Sequence, residues 1–333
     1  MNIKSKFGQF YTTNNEYILE GFSIPQDAKI IEPFVGSGEL VKWSGRNDIE
    51  SYDIDPKIET TIKDTLLDPP EYLDKFVLTN PPYLARNKNN NKKIYDLYDV
   101  DDLYKAFMKT IIDGKCAGGI LIVPLNFISS EDNKVRDLFF HEYHITDMRI
   151  FEEKVFEDTD YTVCSFQFSK GKQETPFRAT ILPYNKTLDI LLEEKYGWRV
   201  AGEIYRRHSP KYKIGRLLKG QNASTTLFLH AIDTGTAEGK IKLIPNHSIY
   251  EGISTDRAFA TITTNYNIKN EEEVANRFNQ KINSWRDKYH SLFLTNYRNS
   301  SKSYARKRIS FDLCYSILDQ IFSEIESDIN LGQ

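Results

Sequence analysis

The sequence predicts an α/β protein: a doubly wound sheet in the first half, followed by a second, mixed α+β domain. Three observations predict it. From Lys29 to Phe168, apolar runs alternate with amphipathic stretches, the pattern of parallel strands joined by helices with both sheet faces covered. Segments rich in Gly, Asp and Pro follow those runs directly, where ligands bind at the carboxyl ends of such sheets. Past the polar connector Lys170-Gly171-Lys172-Gln173-Glu174-Thr175-Pro176 the alternation fades and the charge reverses. Up to Thr175 the chain holds 21 Lys+Arg against 30 Asp+Glu; the remainder holds 23 against 17. The predicted domains are therefore 1–172 and 173–333. The basic balance of the second points to a polyanion partner, although two unlike solvated surfaces would give the same numbers.

Each element follows from local pattern. Lys29-Ile30-Ile31-Glu32 reads as a strand entering a glycine turn, and Gly38 to Val41 opens a helix. Ile49 to Ile54 is a second strand ending in acids, and Phe76 to Leu78 another. Asp101 to Ile112 places Leu103, Ala106, Phe107, Thr110 and Ile111 at helical spacing. Gly118-Gly119 leads into Ile120-Leu121-Ile122-Val123, β-branched and apolar enough for a buried strand. Asp132 to Phe140 reads as a helix, and Ile145 to Phe151 and Thr162 to Phe168 as strands. The second half offers strand-like runs at Leu227 to Ile232 and Phe259 to Thr264, with helices at Glu271 to Tyr289 and Phe311 to Ile325.

The bulk properties exclude several classes. With 333 residues, 40% hydrophobic and 27% charged, the chain fits two globular domains. No apolar run approaches the roughly 20 residues of a membrane span, and Met1 to Phe10 lacks the apolar core of a secretion signal. Cys116, Cys164 and Cys314 are too scattered for a metal site or a disulfide framework. The expected location is the cytoplasm, or the host cell interior for a viral protein.

The chemistry concentrates in short motifs. Asn80-Pro81-Pro82-Tyr83 follows a strand and offers a side-chain amide, a rigid carbonyl and an aromatic face, the equipment for holding a planar amine. Such a tetrapeptide arises by chance about once in a hundred chains of this length. Glu32-Pro33-Phe34-Val35-Gly36-Ser37-Gly38 lies between strand and helix. Its glycines let a ligand approach the backbone, but neither a dinucleotide fingerprint nor a P-loop is present. Asp53-Ile54-Asp55-Pro56 ends the next strand, where an acid can accept both hydroxyls of a ribose. Asp64-Thr65-Leu66-Leu67 offers an acid suited to an adenine amine; each acid alone also reads as a helix cap or a surface charge. Phe7-Gly8-Gln9-Phe10-Tyr11-Thr12 is an aromatic arm that would equally serve as a hydrophobic staple. Arg86 to Lys93, rich in Asn and Lys, is a solvated loop or an arm over the site. Asp68-Pro69-Pro70 begins like the catalytic motif but continues with Glu71 and reads as a turn.

Together these motifs resemble the S-adenosylmethionine-dependent DNA adenine-N6 methyltransferases, in the group with cofactor motifs first and target recognition at the C-terminus. The resemblance covers roughly residues 5 to 170, with Glu153-Lys154-Val155-Phe156 and Tyr161-Thr162-Val163 matching the last strands. It departs from the pattern in opening the glycine turn with Glu32 rather than the commoner Asp. It implies a Rossmann-like methyltransferase sheet and S-adenosylmethionine bound by Tyr11, Thr12, Glu32, Pro33, Gly36, Gly38, Asp53, Ile54, Asp64 and Asn80. Asn80 and Pro81, with Pro82 and Tyr83, would hold the target amine, and Tyr83 and Phe156 would stack on the flipped base. No metal is needed, because orientation and electrostatics supply the acceleration; His141 and His144 read as a surface pair at a helix end. The implied partner is double-stranded DNA, with a cognate restriction endonuclease acting on the same site; the oligomeric state stays open. Two clusters would meet the DNA: Arg206, Arg207, Lys211, Lys213, Arg216 and Lys219, and Arg298, Lys302, Arg306, Lys307 and Arg308 with Tyr297 and Tyr304. Methylation of an RNA base or of a protein glutamine uses the same motif and is the alternative; a non-catalytic DNA-binding module is the alternative of another class. No fused nuclease is expected.

Overall fold

A computed structural model describes residues 14–130, 134–156, 161–205, 210–233, 239–246, 254–298 and 305–331. Tyr11, Thr12, Arg206, Arg207, Lys302 and Tyr304 lie outside these residues. The chain divides into two compact units, Met1–Arg199 and Val200–Gln333.

The first unit is built on a mixed sheet. Its strands are β1 (Ile30–Glu32), β2 (Glu50–Asp53), β3 (Thr61–Ile62), β4 (Phe76–Thr79), β5 (Gly118–Pro124), β6 (Tyr143–Phe151), β7 (Val163–Lys170), β8 (Phe177–Leu182) and β9 (Lys186–Ile190). Their order is β3-β2-β1-β4-β5-β7-β6-β8-β9. The first five are mutually parallel, β7 runs against β5 and β6, and β9 runs against β8. This is the Rossmann-like order that the resemblance implies. The chain winds outward from β1 through β2 and β3, then returns to the other side of β1 as β4. The strand order therefore reverses between β1 and β4, and ligands bind at such a point.

The central strands read as continuous apolar runs because both faces are covered. Every residue of β4 and β5 is buried. A Cβ at Gly119 would lie 2.2 Å from the Val77 carbonyl oxygen and 2.9 Å from the Phe168 ring; the missing side chain is what lets β4, β5 and β7 close up. Helix α4 (Leu103–Asp113) buries Leu103, Ala106, Phe107, Thr110 and Ile111, the residues whose spacing predicts the helix. Phe107 meets Phe34 of the glycine turn edge-on at 5.2 Å. Helix α6 (Lys134–Glu142) sends Phe139 against Phe166 and Phe168 of β7. The shorter helices are α1 (Asn15–Ile18), α2 (Glu39–Ser44), α3 (Lys93–Tyr98) and α5 (Asn126–Ser129).

The predicted boundary at 172 requires correction. The connector Lys170 to Pro176 is a turn within the first unit, and β8 and β9 extend its sheet beyond β6. Arg136, almost wholly buried, donates to the carbonyls of Gly197 and Ser130, both at 2.8 Å. This bond ties residues up to 197 to the first unit. A polar, Gly-containing turn looks the same in sequence whether it joins two strands or two domains.

The second unit has strands β10 (Ile214–Arg216), β11 (Phe228–His230), β12 (Ile232–Asp233), β13 (Lys242–Ile244), β14 (Phe259–Thr264), β15 (Thr295–Arg298) and β16 (Arg306–Arg308), with α7 (Glu271–Tyr289) and α8 (Phe311–Leu331). Its sheets are β10-β14-β11-β13 and β12-β16-β15. The predicted strand Leu227 to Ile232 splits at Ala231, one part entering each sheet. Helix α7 has the predicted bounds: Asn270 caps it, accepting from Glu272 N and Glu273 N.

Candidate active site

The motif residues gather at the carboxyl edge of β1, β2 and β4 because each follows a strand of one parallel set. Glu32 ends β1 and is 1% exposed. Its Oε1 accepts from Phe34 N at 3.0 Å and from the Thr79 hydroxyl at the end of β4; its Oε2 has no partner among the described residues. Burial pushes the Glu32 carboxyl up to about 8, against the two hydrogen bonds that favour the charged form. A buried carboxyl with an orphan oxygen is suited to a cationic or N–H-bearing ligand group.

Asp53, at the end of β2, holds the glycine turn. Its Oδ2 accepts from Gly36 N and its Oδ1 from Asp55 N, both at 2.8 Å. Gly38 caps α2 at φ +79, and a Cβ there would meet the Ile58 side chain at 2.8 Å. Pro33 contributes its carbonyl, which accepts from Thr65 Oγ1 at 3.0 Å. Asp64 caps its own turn, with Oδ1 accepting from Leu66 N and Leu67 N at 3.1 Å each. Asp68 follows as the end of that turn, as its sequence predicts.

A cavity of about 380 Å³ opens between these segments, in the range of small-molecule sites. Of the predicted residues, Gly36, Asp53, Ile54, Asp64, Asn80 and Pro82 line it. Glu32, Pro33, Gly38 and Pro81 do not line it. The rest of the wall is apolar in Phe34, Leu66, Leu84, Ile94 and Leu103, and polar in Lys63, Thr65, Asn89, Asn90 and Asn91. The sequence assigns none of the apolar residues a role. Phe34 and Leu66 lay inside recognised motifs, and the asparagines inside the flagged arm. Leu84, Ile94 and Leu103 carried no signal, because an apolar residue facing a cavity has the same pattern as one facing the core.

The Asn80–Tyr83 tetrapeptide is held from several sides. Leu84 N donates to Asp102 Oδ1 at 3.0 Å and Tyr95 OH to the Leu84 carbonyl at 2.8 Å. Ala85 bridges to Asp102, and Arg86 N donates to the Asp101 carbonyl at 2.7 Å. Asp102 is buried, which pushes its carboxyl up to about 7. The Tyr83 hydroxyl lies against Asn80 Oδ1 and 2.6 Å from the Ile122 carbonyl. Its ring is 1% exposed, edge-on to Tyr104 and Tyr161. Phe156 is 2% exposed. In this conformation neither ring presents an open stacking face; the Tyr83 hydroxyl instead fixes the Asn80 amide. Among the described residues no group of three or more His, Cys, Asp or Glu could hold a metal ion, and no helix is long and apolar enough to cross a membrane.

Residues 73–156 match the family described as Eco57I restriction-modification methylase. No curated protein matches the sequence. Several solved structures are similar in part. A modification subunit assigned to a type I restriction enzyme of Vibrio vulnificus YJ016 is 13% identical, with a TM-score of 0.42; the match covers 53% of this chain and 47% of that one. The methyltransferase subunit of a type I restriction-modification system from Streptococcus thermophilus is 16% identical, covering 53% and 48%, with a TM-score of 0.35. The type IIG restriction endonuclease BpuSI is 17% identical, covering 50% of this chain and 25% of its own, with a TM-score of 0.35. The chain thus spans about half the length of the first two and a quarter of the third.

Proposed function

From the match of residues 73–156 to the restriction-modification methylases, we propose that the chain transfers a methyl group from S-adenosylmethionine to the exocyclic N6 amine of adenine in double-stranded DNA. The observation that carries this reading is the convergence of Glu32, Asp53, Asp64 and Asn80 on one edge of the sheet, three of them lining one cavity. The cavity suits the cofactor. Asp53 and Asp64 are acceptors for ribose and adenine, and Leu66, Leu84 and Leu103 offer a slot for a flat ring; Glu32, buried behind that lining, would meet an α-ammonium with its Oε2 only on turning toward the cavity.

S-adenosylmethionine supplies an electrophilic methyl group on a sulfonium. Asn80 Oδ1 and the Pro81 carbonyl accept from the target amine and orient its lone pair, which is otherwise delocalised into the purine ring. A carbonyl oxygen has two lone pairs, so Asn80 can keep Tyr83 and accept the amine together. Stacking by Tyr83 or Phe156 requires either ring to turn out of its buried position. The apolar wall excludes water, which strengthens each of these hydrogen bonds.

The test uses tritiated S-adenosylmethionine with unmodified DNA, RNA or peptide. Label in DNA as N6-methyladenine is expected, falling about 100-fold or more in Asn80→Ala. Label in RNA or protein but never in DNA would overturn the reading. A cognate restriction endonuclease belongs to the same proposal, tested by protection of the labelled DNA from cleavage.

A further inference from the structure

Several cations of the second unit are held in ion pairs. Lys211 meets Glu326 at 2.5 Å, Arg277 meets Glu273 and Asp328 at 2.8 Å, Lys281 meets Glu324 at 3.1 Å, and Arg286 meets Asp233 at 2.7 Å. A second group stands apart because its members gather in one place. Arg216 ends β10, Arg257 precedes β14, and Arg306 and Arg308 open and close β16. None of the four has an ion pair among the described residues.

Backbone contacts bring them together. Arg216 Nη1 donates to the Thr255 carbonyl at 2.8 Å and Arg308 Nη2 to the Arg257 carbonyl at 2.6 Å, so both arginines grip segment 255–257. Residues two apart in a strand share a face, which sets Arg306 beside Arg308 and turns Lys307, which is buried, the other way. Arg298 is the Cα partner of Arg306 in β15. The Arg308 Nε is buried without a partner among the described residues. Burial, then Arg257, Arg306 and Arg216, hold the Arg308 guanidinium below its ordinary value, with Asp256 opposing them. The Asp256 Oδ1 already accepts from Ala258 N and Phe259 N.

Guanidinium groups set together repel one another, which costs stability in the free protein. A polyanion removes that cost. Guanidinium forks match phosphate oxygens in pairs, and four of them on three segments suit successive phosphates better than a single anion. We propose that Arg216, Arg257, Arg306 and Arg308 form the ridge by which the second unit grips the phosphate backbone of duplex DNA. The proposal rests on DNA as the substrate. It places the grip on the unpaired arginines and takes it away from Lys211, which the basic sequence cluster includes.

The experiment measures binding of the full chain to a fluorescein-labelled mixed-sequence duplex across a KCl series. Arg257 and Arg306 are exposed and make no side-chain hydrogen bond among the described residues, so their removal spares the fold. Arg257→Ala and Arg306→Ala should each lower the slope of log affinity on log salt by about one. The double variant should lower it by about two and unfold at the same temperature as the wild type or higher, since repulsion is relieved. Lys211→Ala should keep the wild-type slope, and all variants should bind S-adenosylhomocysteine as the wild type does. An unchanged slope in the double variant, with the wild type binding DNA, would overturn the ridge alone. A wild type that binds S-adenosylhomocysteine but no duplex would overturn the DNA substrate and the ridge with it. Binding to phosphatidylserine vesicles in place of duplex, lost in the double variant, would overturn the nucleic-acid assignment.

Discussion

At the scale of single residues, the site couples hydrogen-bond geometry to protonation. The Tyr83 hydroxyl and the Asn80 amide oxygen are partners, so the orientation of the amide depends on the phenol. Tyr83→Phe keeps an aromatic ring of the same size and removes that partner. If the hydroxyl positions Asn80, turnover should fall about tenfold, the equivalent of one hydrogen bond, with little change in KM for DNA. Unchanged turnover would leave stacking as the only work of this residue. Glu32 gives a pH signature. Its carboxyl rises from 4.5 to about 8 in the folded chain. Below about pH 4.5 both states hold the proton, between these values only the folded state does, and above 8 neither does. Folding stability from this group is therefore full at low pH and falls as pH rises through the window, by up to about 1.4 kcal/mol per unit. Glu32→Gln should flatten this slope, which urea unfolding at several pH values measures against wild type. A slope equal to wild type would show that Glu32 is ionised in the folded chain.

At the scale of elements, close approach of strands is the governing constraint. β5 sits between β4 and antiparallel β7, and Gly119 has no room for a methyl on either side. Gly119→Ala should destabilise the first unit by about 3 kcal/mol through forced strand separation, read from chemical denaturation. A loss within the ordinary surface range would mean that the strands part more readily than their packing implies. The same crowding explains why β5 reads so clearly in sequence. A strand buried on both faces has to be apolar along its whole length, whereas β3, two exposed residues at the sheet edge, leaves no periodic trace.

For the whole molecule, the relevant boundary is at Arg199 rather than residue 172. Cutting at 172 would remove β8 and β9 and uncover the edge of β6, with its unpaired backbone groups. Fragment 1–199 should express as a monomer and bind S-adenosylhomocysteine with the affinity of the full chain, because every residue lining the cavity falls between 34 and 103. Fragment 1–172 should aggregate. Size-exclusion chromatography and calorimetry decide between them, and equal behaviour of the two fragments would refute the longer unit.

The motif residues were legible one by one because their chemistry is local. Asn80 follows a strand, Asp53 ends one, and Gly38 stands where φ is positive. Parallel strands joined by helices then bring such ends to one edge, so the sequence by itself determined the sheet, its site edge and the six predicted residues that line the cavity. It could not distinguish Leu84 or Leu103 facing a ligand from the same residues facing the core. Nor could it see that Lys211 is neutralised by Glu326, 115 residues away, while Arg257 is left unpaired among the described residues. The inward rotation of Tyr83, the cavity's apolar wall, the reach of the sheet to β9 and the arginine ridge were decided by tertiary structure alone, because each depends on which distant side chains share a space.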